Sequence, residues 1–376
     1  MAKFGLGKVT GARLGAVGKP QMLPIAVDFG TAYLKVLQAS PGDAPSLVGA
    51  GCVATPEGLL HDPKRRLAFQ VEALPELVRS LHLRGTRAVC AIPASFTFCK
   101  HAQFPKAELP AIELMADAML AEQLKRDPAS LVKRVIEVEG ADRAGTGKGE
   151  YIVLAAGREL VDHLMRSMKS ARLDPVGMPC EYEAVLRAFT GLSRGAEERA
   201  TLYLDIGCRG TRVMIAQGAR LVFARSIAVG GAMLDECLAK EMASTFEEAH
   251  RARMSMEELV VPGSRSGAGG VAVASRGSSL REPLEILTDE VGMCLRYHAS
   301  LFRDVKVGGV VFLGGEARHR ALCQHIARVL RLPAQAGDPL ARIARSGGEA
   351  AVGVDLTQPQ PGWALPVGLC LSPTDL

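Results

Sequence analysis

The sequence predicts an α/β fold built from two duplicated lobes. Three observations predict it. Strand-like and helix-like segments alternate along most of the chain, the pattern of layered α/β architecture. One strand–turn–strand unit with an Asp-x-Gly turn occurs twice, first at Asp28 and again at Asp205. The length, 376 residues, makes room for two or three domains at ~150 residues each.

The elements follow in order. Ile25 to Asp28 and Tyr33 to Leu37 read as two strands around a Phe29-Gly30-Thr31 turn. Apolar residues at 71, 74, 77, 78 and 81 give residues 70–83 a helical period. Ala88 to Ile92 is a short buried strand ended by Pro93. Pro110 to Lys125 is a helix with proline in its first turn. Val132 to Glu139 is a strand, Ala141 to Gly149 a polar glycine loop, and Tyr151 to Ala156 a strand. A helix from Arg158 to Arg172 is closed by Leu173-Asp174-Pro175, and another runs from Glu181 to Phe189. Three strands at 201–206, 211–217 and 220–227 precede a helix from Ala232 to Met242. Residues 263–279 are a Gly/Ser-rich loop. A long helix covers Leu284 to Arg303, and the buried strand Gly309 to Leu313 ends in Gly314-Gly315.

Composition narrows the class. Hydrophobic residues are 48% and charged residues 23%, which excludes a disordered, collagenous or coiled-coil chain. Aromatics are only 5%, so Ala, Val, Leu and Ile must fill the cores. A net charge of +5 is too mild to demand a nucleic-acid partner. Lys3, Lys8, Arg13 and Lys19 lie in an N-terminal stretch with no acid before Asp28, read as a solvated basic tail. Nine cysteines without a C-x-x-C pair, most in apolar runs, read as small buried hydrophobes of a reducing compartment. No apolar run reaches the ~20 residues of a membrane-spanning helix.

The repeat carries the chemistry. Ile25-Ala-Val-Asp28-Phe-Gly30-Thr31 and Leu202-Tyr-Leu-Asp205-Ile-Gly207-Cys208 each join two apolar strands. Each Asp has a basic residue seven positions on, Lys35 and Arg212. Glycine lets backbone N–H groups approach phosphate oxygens that a side chain would fend off. Thr31 and Thr211 can add hydroxyls. Asp28 and Asp205 suit Mg²⁺ held through its water shell, and Asp205 can orient an attacking water. In Leu313-Gly314-Gly315-Glu316, the glycine pair lets a purine lie flat on the backbone.

These three motifs, in this order, resemble the superfamily of actin, sugar kinases and heat-shock ATPases. The finer resemblance is to the PilM family of type IV pilus assembly, which is similar to the cell-division protein FtsA. It rests on Phe4-Gly-Leu-Gly-Lys8, Ala91-Ile-Pro93, Glu181-Tyr-Glu183-Ala-Val-Leu-Arg187, Arg225-Ser-Ile-Ala-Val-Gly230-Gly231, Gly337-Asp-Pro-Leu340 and Ala364-Leu-Pro-Val-Gly368-Leu369. Cys208 stands where the first repeat has Thr31, and Glu316 where a small hydroxyl residue is usual.

The resemblance implies an actin-like fold with ATP and Mg²⁺ in a central cleft. It implies a first lobe of 23–91 and 179–200, an FtsA-like insertion at 92–178, a second lobe at 201–340, and a segment 341–376 returning to the first lobe. Gly30, Thr31, Lys35, Gly207, Thr211, Gly230, Gly231, Gly314, Gly315 and Glu316 would join Asp28 in binding nucleotide. Asp205, with Glu183 second, would serve at most a weak ATPase. The implied partner is the cytoplasmic N-terminal tail of a PilN-like membrane protein, beside other pilus assembly proteins and self-association. That puts the protein in the cytoplasm, peripheral to the inner membrane. Two other readings compete. A small-molecule kinase needs an aspartate base in the first lobe, and Asp117 and Asp127 read as solvated charges. An FtsA-like protein needs a terminal amphipathic helix, which Leu371-Ser-Pro-Thr-Asp-Leu376 does not supply.

Overall fold

The computed structural model describes residues 22–42, 44–141, 147–189, 199–259 and 277–374. The four basic residues of the N-terminal tail, residues 142–146 of the polar loop and residues 263–276 of the Gly/Ser stretch lie outside the described residues.

The first sheet contains β1 (Ile25–Phe29), β2 (Tyr33–Ser40), β3 (Ser46–Ala54), β4 (Arg87–Cys90), β8 (Asp174–Gly177) and β14 (Ala350–Val352), in the order β14-β3-β2-β1-β4-β8. The second contains β9 (Ala200–Ile206), β10 (Thr211–Gln217), β11 (Arg220–Ile227), β12 (Val307–Leu313) and β13 (Ala334–Ala336), in the order β11-β10-β9-β12-β13. The duplication is topological. In each sheet, the strand bearing the Asp-x-Gly motif pairs antiparallel with the next strand and parallel with a later one. The register sets Asp28 opposite Lys35 and Asp205 opposite Arg212. The seven-residue spacing therefore records a cross-strand pair.

The third sheet is antiparallel, β5 (Phe98–Pro105), β7 (Lys148–Gly157) and β6 (Leu131–Glu137), with α2 (Leu109–Leu124) packed on it through Ile112, Ala116 and Leu120. The structure differs from the predicted insertion at its far end. In α3 (Arg158–Ser170), Leu164 and Met168 enter the core of Ile25 and Val27, and β8 pairs with β4. Leu164 and Met168 thus carry the apolar face of α3 onto the first sheet.

α1 (Pro63–Ser80) begins earlier than its periodicity suggests, because Asp62 caps it by accepting from the Lys64 and Arg65 amides and Pro63 opens its first turn. β3 and β5 escape the sequence reading: small residues dilute the first, and a Lys-His-Ala-Gln centre interrupts the second.

The remaining helices are α4 (Glu181–Arg187), α5 (Gly231–Met242), α6 (Phe246–Met254), α7 (Arg281–Leu301), α8 (Arg320–Leu330) and α9 (Ala364–Cys370). β14 joins β3, and α9 packs on β1, β2 and α4, so the chain end returns to the first sheet. The α4–α9 contact needs glycine: a Cβ on Gly368 would stand 1.6 Å from the Ala184 carbonyl oxygen. Gly368→Ala is expected to force these helices apart and lower unfolding free energy by about 1–3 kcal/mol, measured by denaturant titration.

Candidate functional site

The two motif hairpins face each other across a cleft of about 530 Å³. Asp28, Gly30, Thr31, Lys35, Asp205, Gly207, Gly314, Gly315 and Glu316 line it. The first turn is fixed from α1: Gln70 Nε2 donates to the Gly30 carbonyl at 2.7 Å and to Thr55 Oγ1 at 3.1 Å. The turn after β12 needs glycine twice over. Gly314 has φ +86°, and a Cβ there would meet the Ile206 carbonyl oxygen at 2.2 Å. At Gly315 a Cβ would meet nothing within 4 Å, so that residue opens onto space.

Four predicted residues do not face the cleft. Thr211 is fully buried, and its hydroxyl donates to the Val229 carbonyl at 2.7 Å, so it cannot replace the hydroxyl missing at Cys208. Gly230 and Gly231 close the second turn against α5. The Gly231 amide donates to the Gly207 carbonyl at 3.0 Å, and a Cβ on Gly230 would sit 2.5 Å from that oxygen. Glu183 pairs with Arg134 at 2.9 Å, away from the cleft. Glu181 lines the cleft instead. Two residues along a helix turn ~200°, so only one of the pair can face it. The sequence shows both acids and gives no phase for so short a helix.

The charges form two buried networks. Arg212 Nη2 and Nε donate to Asp205 Oδ2 at 2.5 and 3.1 Å, and Nη1 donates to Glu181 Oε2 at 2.6 Å. Burial pushes the Glu181 carboxyl up against the pull of Arg212. Burial also raises Asp28, whose cation Lys35 stands 3.7 Å away and donates to the Gly362 carbonyl at 2.6 Å. Burial alone would lower Arg212, but the carboxylates of Asp205 and Glu181 outweigh it and hold the charge. Within this network three carboxylates face two cations.

The second network surrounds Arg253 on α6, which is completely buried. It donates to Asp235 Oδ1 at 2.6 Å and to Glu316 Oε2 at 2.7 Å. His250 Nδ1 lies 2.9 Å from Asp235 Oδ2. Glu316 is therefore turned onto Gly231, where a Cβ would stand 2.0 Å from its carboxylate. The sequence does not single out Asp235, a lone acid on the inner side of α5, nor His250 and Arg253, which lie among the many charges of α6. Arg253→Met strips the buried Glu316 carboxylate of its arginine and leaves Asp235 with His250 alone. It is expected to cost about 3–5 kcal/mol in chemical denaturation.

Comparison with known proteins follows this geometry. The chain matches the family of type IV pilus assembly protein PilM over residues 26–373. No curated protein matches it. Among solved structures, the PilM–PilN type IV pilus biogenesis complex is similar with TM-score 0.73 and 21% identity, covering 94% of this chain and 98% of that one. Looser likenesses are MreB5 of Spiroplasma citri bound to ADP (TM-score 0.48, 15% identity, 86% and 94% covered) and EutJ, an ethanolamine utilization protein of Carboxydothermus hydrogenoformans (TM-score 0.47, 15% identity, 94% and 90% covered). The fold is actin-like, and the chain belongs to the PilM family of type IV pilus assembly proteins.

Proposed function

We propose that this protein is a nucleotide-responsive scaffold of pilus assembly. It binds ATP between its lobes and presents an interface to the cytoplasmic tail of a PilN-like membrane protein. The observation that carries the nucleotide reading is the pair of matching Asp hairpins facing one cleft, with the open Gly315 at its edge. Partner choice is supported by family membership and by the fold shared with the PilM–PilN complex.

Gly30, Thr31 and Gly207 are suited to the phosphates, and the Gly314-Gly315 turn to the adenosine. The residues present fit Mg²⁺ held through water. Asp28 is buried and loosely paired, and among the described residues no cluster of three ligating side chains offers direct coordination. Mg²⁺ there would neutralise phosphate charge. Asp205 is held at Oδ2 by Arg212, which suits positioning better than proton abstraction, so turnover is slow. Two lobes account for residues 23–91 with 158–200, and 201–340; residues 98–157 form the insertion, and 341–376 rejoin the first lobe.

Among the described residues no helix is long and apolar enough to cross a membrane. Attachment to the inner membrane then comes through the partner tail. ATP changes lobe angle only by contacts that differ between open and closed states, and the tail must in turn change ATP affinity by the same factor. Titration with fluorescent ATP and Mg²⁺ is expected to saturate. Asp28→Ala combined with Asp205→Ala is expected to weaken it at least ~10-fold, since each removes a charged contact. Capture of a synthetic PilN-like tail should be stronger with ATP than without. Saturable binding that survives the double substitution would rule out this cleft.

A further inference from the structure

Three arginines lie in or beside the cleft with little exposure, Arg66 and Arg253 buried and Arg212 half-buried. Arg212 and Arg253 each bridge two carboxylates. Arg66, on α1, is only 4% exposed and has no carboxylate within ion-pair distance among the described residues. Its Nη1 donates to the Leu60 carbonyl at 3.0 Å and its Nη2 to Ser95 Oγ at 3.1 Å. Those two bonds aim the guanidinium without neutralising it. Burial lowers its pKa against a raising pull from Cys208, and Arg209 lowers it further while Asp62 raises it. A buried cation with no direct ion pair is costly unless an anion arrives.

Its place in the cleft says which anion. Leu60, Arg66, Ser95, Thr31, Cys208 and Arg209 all line the same cavity. One helical turn along α1, Gln70 holds the Gly30 carbonyl, so Arg66 stands at the tip of the first hairpin. The Gly314-Gly315 turn lies at the other end. There Gly314 takes the Pro361 carbonyl, and Lys35, further down the hairpin, takes that of Gly362. A ligand lying from the glycine pair across both hairpin turns ends at Arg66.

We propose that Arg66 is the receptor for the terminal phosphate, so that the cleft prefers a nucleoside triphosphate to a diphosphate. The planar guanidinium has donors left for two phosphate oxygens after its bonds to Leu60 and Ser95. This rests on the nucleotide reading above.

Calorimetric titration of the full chain with a non-hydrolysable ATP analogue and with ADP, both with Mg²⁺, tests it. The wild type should bind the triphosphate more tightly. Arg66→Gln should weaken the triphosphate ~10- to 100-fold while leaving ADP within about 2-fold, the size of a lost charge-assisted contact. Retained ADP binding also shows that the variant is folded. Arg66→Lys, a charge without the fork, should recover part of the triphosphate affinity only. Equal weakening of both ligands in both variants assigns Arg66 a structural role and overturns the proposal. So does an unchanged triphosphate affinity, or a wild type that binds both ligands alike. A wild type that binds neither nucleotide overturns the nucleotide reading itself, and this proposal with it.

Discussion

Arg212 is the interaction on which the site depends. Asp28 comes from the first sheet, Asp205 from the second, and Glu181 from the helix at the start of the connection between them. Bringing them to one cleft concentrates negative charge where water is scarce, and desolvation opposes that strongly. Arg212 resolves it by binding Asp205 and Glu181 with one guanidinium. The basic residue of the repeat thus acts first as a counter-ion. Lys35 plays the looser version in the first hairpin, reaching a carbonyl of the returning chain end as well as Asp28.

The same logic explains the glycines. Gly230, Gly231 and Gly314 sit where a Cβ would collide with backbone or with a buried carboxylate at 2.0 to 2.5 Å. They let the second hairpin, α5 and the turn after β12 meet without a side chain between them. Glu316 fills the pocket that Gly231 leaves and hands its charge to Arg253. An acid that stands in the sequence where a small hydroxyl residue is usual is already paired inside the second lobe.

Much of the fold was legible. Period-two and helical patterns located most elements, and the repeat exposed the duplication, since a cross-strand register leaves a fixed spacing in sequence. Side-chain direction was less legible. Glu181 and Glu183 differ by two positions and face opposite ways. Thr211 offers a hydroxyl beside the second turn in sequence, yet it points into the core. Arg66 belongs to the run Lys64-Arg65-Arg66, which reads as a solvated helix start; only the phase of α1, with Leu67, Gln70, Leu74 and Leu77 buried, turns it inward. Charge runs hide buried members because periodic patterns are carried by apolar residues.

These placements give the cleft a polarity. At the strand ends stand Asp28 and the half-compensated carboxylates; at the first hairpin's tip stands Arg66, bonded to Leu60 and Ser95 but with no carboxylate at ion-pair distance among the described residues. A divalent cation suits the first end and a phosphate tail the second, so a metal–nucleotide complex matches both at once. A molecule lacking its last phosphate satisfies only the acidic end. The first lobe supplies Arg66 and the second supplies the glycine pair, so a ligand long enough to reach both adds to the Arg212–Glu181 pair that already links them. On the proposal above, the length of the phosphate chain sets lobe angle, the quantity a partner docked on the outside can read.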